Sequence, residues 1–232
     1  EISDYDIATN AKPEDVIRIF HKVIPTGIAH GTVTILFMGQ SIEATTYRIE
    51  KDYTDGRHPD KVEYASKIEE DLSRRDFTMN AIAASLADGS IVDPFGGQID
   101  IQQKTIRTVG NPLERFSEDG LRPVRALRFA AQLGFEIEPE TLKAIPVTNH
   151  ITKGISIERF RDEFVKMLKS PKPSVALNLM EKTGILKIFL PEFAGCRNVL
   201  QKDIRGFHSF DVLDHLIYAL DGVILESKNQ AS

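Results

Sequence analysis

The chain has 232 residues, with 29 Lys plus Arg against 34 Asp plus Glu and 41% apolar residues. That apolar share excludes a disordered chain, and no run of about 18 apolar residues marks a membrane span. The single cysteine, Cys196, excludes an intramolecular disulfide framework and, with no signal peptide visible, leads us to expect a reducing, cytoplasmic setting.

The net charge of −5 is unevenly spread. Residues 1–100 carry 10 basic and 18 acidic side chains, residues 101–170 carry 12 and 9, and residues 171–232 carry 7 and 7. An acidic segment followed by a basic one suits metal chemistry beside polyanion binding, and ordinary surface variation accounts for it equally well.

In chain order, residues 1–9 read as a strand end, with Asp4 and Asp6 on one face. A helix follows from Pro13, carried by Val16, Ile19, Phe20 and Val23 at helical spacing and ended by Pro25 and Gly27. Thr32–Met38 and Ile42–Arg48 read as two strands around Gly39-Gln40, a hairpin signal. The charged stretch Glu50–Asp71 reads as a mobile loop entering a helix over 74–86. Asp93-Pro94-Phe95-Gly96-Gly97 is a turn. After about residue 104 strand signals fade, and helices are expected over 117–133, 156–169, 172–185 and 208–225. The fold class is therefore α+β followed by all-α. The expected units are 1–104, 105–170 and 171–232.

Asp4 and Asp6, two residues apart in a strand, lie about 6.5–7 Å apart along the chain. Two carboxylates so placed repel unless a cation stands between them, and hard oxygens suit Mg²⁺ together with substrate phosphates. Glu43, in a run of β-formers, completes a three-carboxylate cluster if its strand neighbours the first. A surface-charge reading of these acids stays open at this point.

Six segments, DYDIATNA, TGIAHGTVTI, EATTYR, DLSRRDFTMNA, DPFGG and RFSEDGLRPVRALRFAAQLGF, occur in that order from residue 4 onward. Together they resemble class II tRNA nucleotidyltransferases, the CCA-adding enzymes and their bacterial poly(A) polymerase relatives. The resemblance implies a head of the polymerase-β nucleotidyltransferase type, a helical neck and a helical body. Family members carry Gly-Gly and Val-Arg-Asp motifs just before the paired acids. The chain starts at Glu1, so the N-terminal part of the head is expected to be missing and the body to be incomplete.

By this resemblance Asp4 and Asp6 hold two Mg²⁺ ions, with Glu43 as third carboxylate, for in-line transfer of a nucleotidyl group to an RNA 3′-hydroxyl. The expected partners are the tRNA 3′ end, with ATP and CTP as substrates and no membrane. Arg75 is implied to contact the nucleotide, and Asp76 and Asn80, four apart, to hold sugar and loop. Ser117 is a good N-cap for the helix that carries Asp119, Arg122, Arg125 and Arg128. These charges on a helix apolar on most sides need partners, either a cleft or an internal ion-pair network. Asp119 and Arg122 match the family's EDxxR motif. A carboxylate acceptor beside a guanidinium donor fits the Watson–Crick edges of cytosine and adenine and rejects uracil and guanine. Arg125 and Arg128 would then reach triphosphate or primer, although Pro123 predicts a kink between them and Asp119.

The loop with Asp55-Gly56-Arg57-His58-Pro59 resembles the family's flexible loop, which favours an enzyme able to add A. The segment ISIERFRDEFVKMLK resembles the neck motif, its basic residues read as structural. His208, Asp211 and His215 are similar to the first histidine region of HD phosphohydrolases, but no His-Asp doublet follows. CMP and AMP addition to tRNA is thus the leading expectation. An A-adding or poly(A)-adding relative and a silent RNA- or nucleotide-binding module are the alternatives.

Overall fold

Alternating β-branched and polar residues build the sheet that opens the molecule. In the computed structural model, which describes residues 6–51, 61–200 and 210–230, β1 is Asp6–Thr9, α1 Pro13–Ile19, β2 Val23–Gly27, β3 Thr32–Phe37 and β4 Gln40–Thr46. Their order in the sheet is β1-β4-β3-β2, with β1 parallel to β4 and the other pairs antiparallel. One face buries Val33, Ile35 and Ala44 against Val16 of α1. The other face carries Thr32, Thr34, Glu43 and Thr45, as period-two alternation requires.

The expected hairpin forms, but its turn is Met38-Gly39, one residue earlier than Gly39-Gln40. Both residues have positive φ, 48° and 80°, which matches the right-handed twist of the flanking strands. The first helix stops at Ile19, because Phe20 is extended, and Val23 and Ile24 pair with Ile35 and Thr34 instead of continuing it.

Arg48–Lys51 (β5) and Lys61–Tyr64 (β6) form a hairpin where a loop was expected. Asp55 to Pro59 lie outside the described residues. The helix that follows, α2, is Ile68–Ser73 and ends where a helix over 74–86 was expected to begin. The cause is tertiary: the backbone N–H of Thr78 donates to Arg107 O and that of Val109 to Asp76 O, at 2.9 and 3.1 Å. Those bonds hold 76–78 extended before a 3-10 turn at Thr78–Asn80 and a small ribbon of β7 (Ala83–Ala84) and β8 (Ile91–Val92).

Asp93 accepts the backbone N–H groups of Gly97 and Gln98 at 2.7 and 2.9 Å and so caps α3, Gly97–Gln102. Burial pushes its carboxyl up, but these bonds outweigh that and hold it below the usual range. Gly97 is required by close approach, since a Cβ there would lie 2.2 Å from Thr78 O.

Strand signals do not vanish after residue 104: β9 (Thr105–Ile106) pairs in parallel with β10 (Glu136–Ile137). Between them the single expected helix over 117–133 is two, α4 (Pro112–Glu118) and α5 (Leu121–Leu133). Asn111 caps α4, and Ser117 is internal to it, donating to Leu113 O. The break falls at extended Asp119 and at Gly120, whose Cβ would lie 2.8 Å from Ile151 O. Pro123 therefore sits in the first turn of α5, where its missing N–H costs nothing and no kink arises.

The remaining helices are α6 (Pro139–Val147), α7 (Asn149–Thr152), α8 (Ile157–Leu168), α9 (Pro173–Thr183), α10 (Ile185–Phe189), α11 (Pro191–Ala194) and α12 (Val212–Gln230). A single large core joins Phe77, Ile106, Phe116, Leu127, Phe160, Leu177 and Ile217, so Phe77 plugs the segment after α2 into the helical half. Among the described residues, no helix is long and apolar enough to cross a membrane.

Candidate active site

The sheet places its acids by register. Asp6 on β1 pairs with Glu43 on β4, and Glu43 in turn pairs with Thr34 on β3. Residues in register on neighbouring strands project to the same face, about 4.8 Å apart. Both carboxylates are exposed and line a cavity of about 240 Å³ with Thr32, Thr45, Arg48, Arg74 and Arg75. Asp4 lies outside the described residues. Among the described residues, no three His, Cys, Asp or Glu gather as a metal-holding group. Asp6 and Glu43 are a two-carboxylate, hard-oxygen donor set beside an open cavity, and that chemistry fits Mg²⁺.

A larger cavity of about 710 Å³ adjoins the first, lined by Asp6, Thr9, Tyr47, Asp71, Arg75 and Asn80 among others. Arg75 thus borders both spaces. Its Nη2 lies 3.4 Å from Asp71 Oδ2, and its buried Nε has no hydrogen-bond partner among the described residues.

Asp76 does not face the cavity as an open acceptor. Its Oδ1 accepts from Phe77 N and Asn80 Nδ2 at 2.9 and 3.0 Å, and its Oδ2 accepts from Arg125 Nε at 2.8 Å. Burial pushes this carboxyl up, but the Arg125 charge and the bonds from Asn80, Arg125 and Phe77 more than reverse that, holding it below the usual range. Asp76 and Asn80 are thus bonded to each other, although the segment is a 3-10 turn and not the expected helix.

Asp119 and Arg122 are not partnered with each other. Asp119 accepts from Arg159 Nη2 on α8 at 2.8 and 3.1 Å and from Leu121 N at 2.9 Å. Arg122 is 8% exposed; it pairs with Glu118 and donates to Arg115 O at 2.9 Å and Arg74 O at 3.1 Å. Arg125 is spent on Asp76. Arg128, also nearly buried, pairs with Glu163 of α8, donates to Gln132 Oε1 at 2.6 Å and stacks over the Phe129 ring at 3.8 Å. Both arginines thus stand in ion pairs within the protein.

Two residues here were not singled out from the sequence. Asp71, four residues before Arg75, and Arg159, on α8 and 40 residues beyond Asp119, each hold a side chain expected in the site. Outside the site, Asp211 accepts from Asn198 N, Asp214 N and Arg197, so it organises the start of α12, and His208 lies outside the described residues.

Residues 1–107 match the family model described as the poly A polymerase head domain, and residues 134–196 the one described as the probable RNA and SrmB- binding site of polymerase A. The CCA-adding enzyme of Geobacillus sp. (strain WCH70) is 47% identical over 205 residues, covering 88% of this chain and 50% of that protein. That of Bacillus cytotoxicus is 51% identical over 170 residues, 73% of this chain and 43% of the relative. The crystal structure of the Bacillus stearothermophilus CCA-adding enzyme in complex with CTP superposes with a TM-score of 0.77 at 42% identity, over 85% of this chain and 48% of that one. A tRNA nucleotidyltransferase complexed with a primer tRNA and an incoming ATP analog gives a TM-score of 0.70 at 29% identity, over 96% and 60%. The chain spans about half the length of the curated relatives it matches. With head and RNA-binding segments matched in the order that the sheet and the helices follow, the chain belongs to the family of class II tRNA nucleotidyltransferases and bacterial poly(A) polymerases.

Proposed function

We propose that the full-length protein adds CMP and AMP to tRNA 3′ ends, completing CCA with release of pyrophosphate. The observation that carries this reading is the register of Asp6 against Glu43 at the wall of a cavity that Arg74 and Arg75 also line. Anionic ligands for a hard cation and cationic ligands for phosphate thus share one space, as nucleotidyl transfer needs. The likeness to a CCA-adding enzyme in complex with CTP supports the same choice.

Asp6 and Glu43, with Asp4, would hold Mg²⁺, which when bound supplies a lowered pKa at the attacking hydroxyl and neutralises the departing pyrophosphate. Arg75 offers a planar fork to the phosphates. Asp119 is the acceptor for the exocyclic amino group shared by cytosine and adenine, and an incoming base would take the place of Arg159 against it. Arg122, anchored by Glu118, is the donor toward the ring nitrogen. A wrong base leaves these groups unpaired, at about 1–3 kcal/mol each. Asp76, Asn80, Arg125 and Arg128 act in this reading by fixing the walls of the pocket. The division into head (1–104), neck (105–170) and body (171–232) belongs to the same proposal.

The test uses full-length protein, Mg²⁺ and tRNA transcripts ending before CCA, after one C and after CC, with CTP and ATP supplied separately. C addition to the first two and A addition to the third is the expected outcome. A addition confined to the third transcript would assign an A-adding enzyme, and ATP tailing of any RNA a poly(A) polymerase. No extension would overturn the transferase reading.

A further inference from the structure

We propose that Asp71 is a positioning residue for the nucleotide, acting by aiming Arg75 into the cavity; the proposal rests on the functional reading above. Asp71 stands in the last turn of α2 and is 1% exposed. Its two oxygens divide their work. Oδ1 accepts from Arg74 Nε and Nη2 at 3.0 and 2.9 Å and from the backbone N–H of Arg48, at the start of β5, at 3.3 Å. Oδ2 faces Arg75 Nη2 at 3.4 Å.

The two arginines differ in what else they do. Arg74 has a side chain 15% exposed and is held by two donors on one oxygen, so it is a fixed part of the wall. Arg75 is 36% exposed at its side chain and borders both cavities. Among the described residues, Asp71 is its one ion-pair partner, and its Nε makes no bond. One carboxylate between two guanidinium groups leaves a net positive charge beside Asp6 and Glu43, suited to the phosphates of a nucleoside triphosphate. The contact at 3.4 Å orients the Arg75 fork without saturating it, leaving donors to spare. An amide at position 71 would turn N–H groups toward one arginine or the other, so neutralising Asp71 disturbs Arg75 even where the chain still folds.

The experiment is a double-mutant cycle in the full-length protein, with Asp71→Asn, Arg75→Ala and the pair. CTP addition to tRNA ending before CCA is read as kcat and KM for CTP, and CTP binding is read as Kd. We expect each single change to lower kcat/KM for CTP at least tenfold and the double variant to fall no further than Arg75→Ala alone, within a factor of two. Asp71→Glu, which keeps the charge, should retain more activity than Asp71→Asn. A residue that only supports the fold would give losses that multiply, and that result overturns the proposal, as does a kcat/KM within twofold of the parent for Asp71→Asn. If Asp71→Asn does not fold, the cycle is run with Asp71→Glu. Extension by the unaltered protein judges the transferase reading on its own. Should it bind CTP without extending tRNA, the cycle is scored on Kd, and absence of CTP binding overturns the assignment of Asp71.

Discussion

Asp76 Oδ2 lies 2.7 Å from Nη2 of Arg125, and this ion pair ties the segment after α2 to the second turn of α5. The same carboxylate receives Asn80 and the Phe77 N–H, so one side chain fixes the exit of α2, the 3-10 turn and α5. Removing the acid by Asp76→Ala strands a guanidinium that is only partly wetted. We expect a loss of about 3 kcal/mol, the low end for a broken buried pair. That corresponds to a fall of about 6–12 °C in thermal midpoint for a chain of this size, measured by calorimetry.

The depressed Asp76 carboxyl also sets a pH dependence. A folded-state pKa below the unfolded value of about 3.9 contributes stability that is fully present above that value and is lost as pH falls through the folded one. The thermal midpoint should therefore fall more steeply with acid below about pH 4 in the parent chain than in Asp76→Asn, which has no proton to bind. Equal acid slopes in the two proteins would contradict the assignment.

Glu43 is exposed, in register with Asp6 on one side and Thr34 on the other, so Glu43→Gln should leave the unfolding midpoint within about 2 °C, a surface-scale change. Transfer should nevertheless fall at least a hundredfold, since the change removes an anionic oxygen donor beside Asp6. Partial recovery at raised Mg²⁺ concentration is expected. Unchanged transfer would remove Glu43 from the site.

Arg128 makes the opposite prediction. Its side chain is 8% exposed against a Glu163 side chain 4% exposed. Arg128→Met alone should cost about 3 kcal/mol by leaving the buried Glu163 carboxylate with Lys166, at 3.0 Å, as its remaining ion-pair partner among the described residues, and adding Glu163→Leu should recover most of it. KM for CTP should stay within twofold throughout if Arg128 acts only through Glu163 and the packing of α5 on α8, and a larger rise would assign it to the nucleotide or primer.

Gly97 and Gly120 test close approach. In each case a Cβ would lie under 3 Å from a backbone carbonyl oxygen, that of Thr78 or Ile151. Gly97→Ala should destabilise by about 1–3 kcal/mol or more, because main chain and not a flexible side chain must yield. Urea midpoints would measure it, and a neutral substitution would show that the turn before α3 can slide.

The sequence carried the sheet's hairpin and the acid-bearing strand legibly, because period-two alternation and a glycine turn are local signals. That β1 runs beside β4, bringing Asp6 into register with Glu43, was foreseen only as a condition, since strand order is not local. Helical spacing misled three times. Beyond Ile19 it lost to the pairing of Val23 and Ile24 with β3. Over 74–86 it lost to backbone bonds with residues 107–109, and at 117–133 the apolar period ran on across a break that Gly120 makes for α7 to approach. The charges of Arg125 and Arg128 were readable, but their partners stand 49 and 35 residues away, a distance that no motif spans. Whether Asp119 meets a base or only Arg159 is likewise a matter of tertiary placement.

The end of α2 is closed by two guanidinium groups, Arg115 on Ser73 O at 2.8 Å and Arg122 on Arg74 O at 3.1 Å. These are contacts to main chain, so the joint between the two halves is indifferent to the side chain at position 73. Evolution and engineering can vary that residue freely, provided the carbonyls keep their direction. A family member with another side chain at position 73 would therefore keep both of these bonds, so long as it retains Arg115 and Arg122.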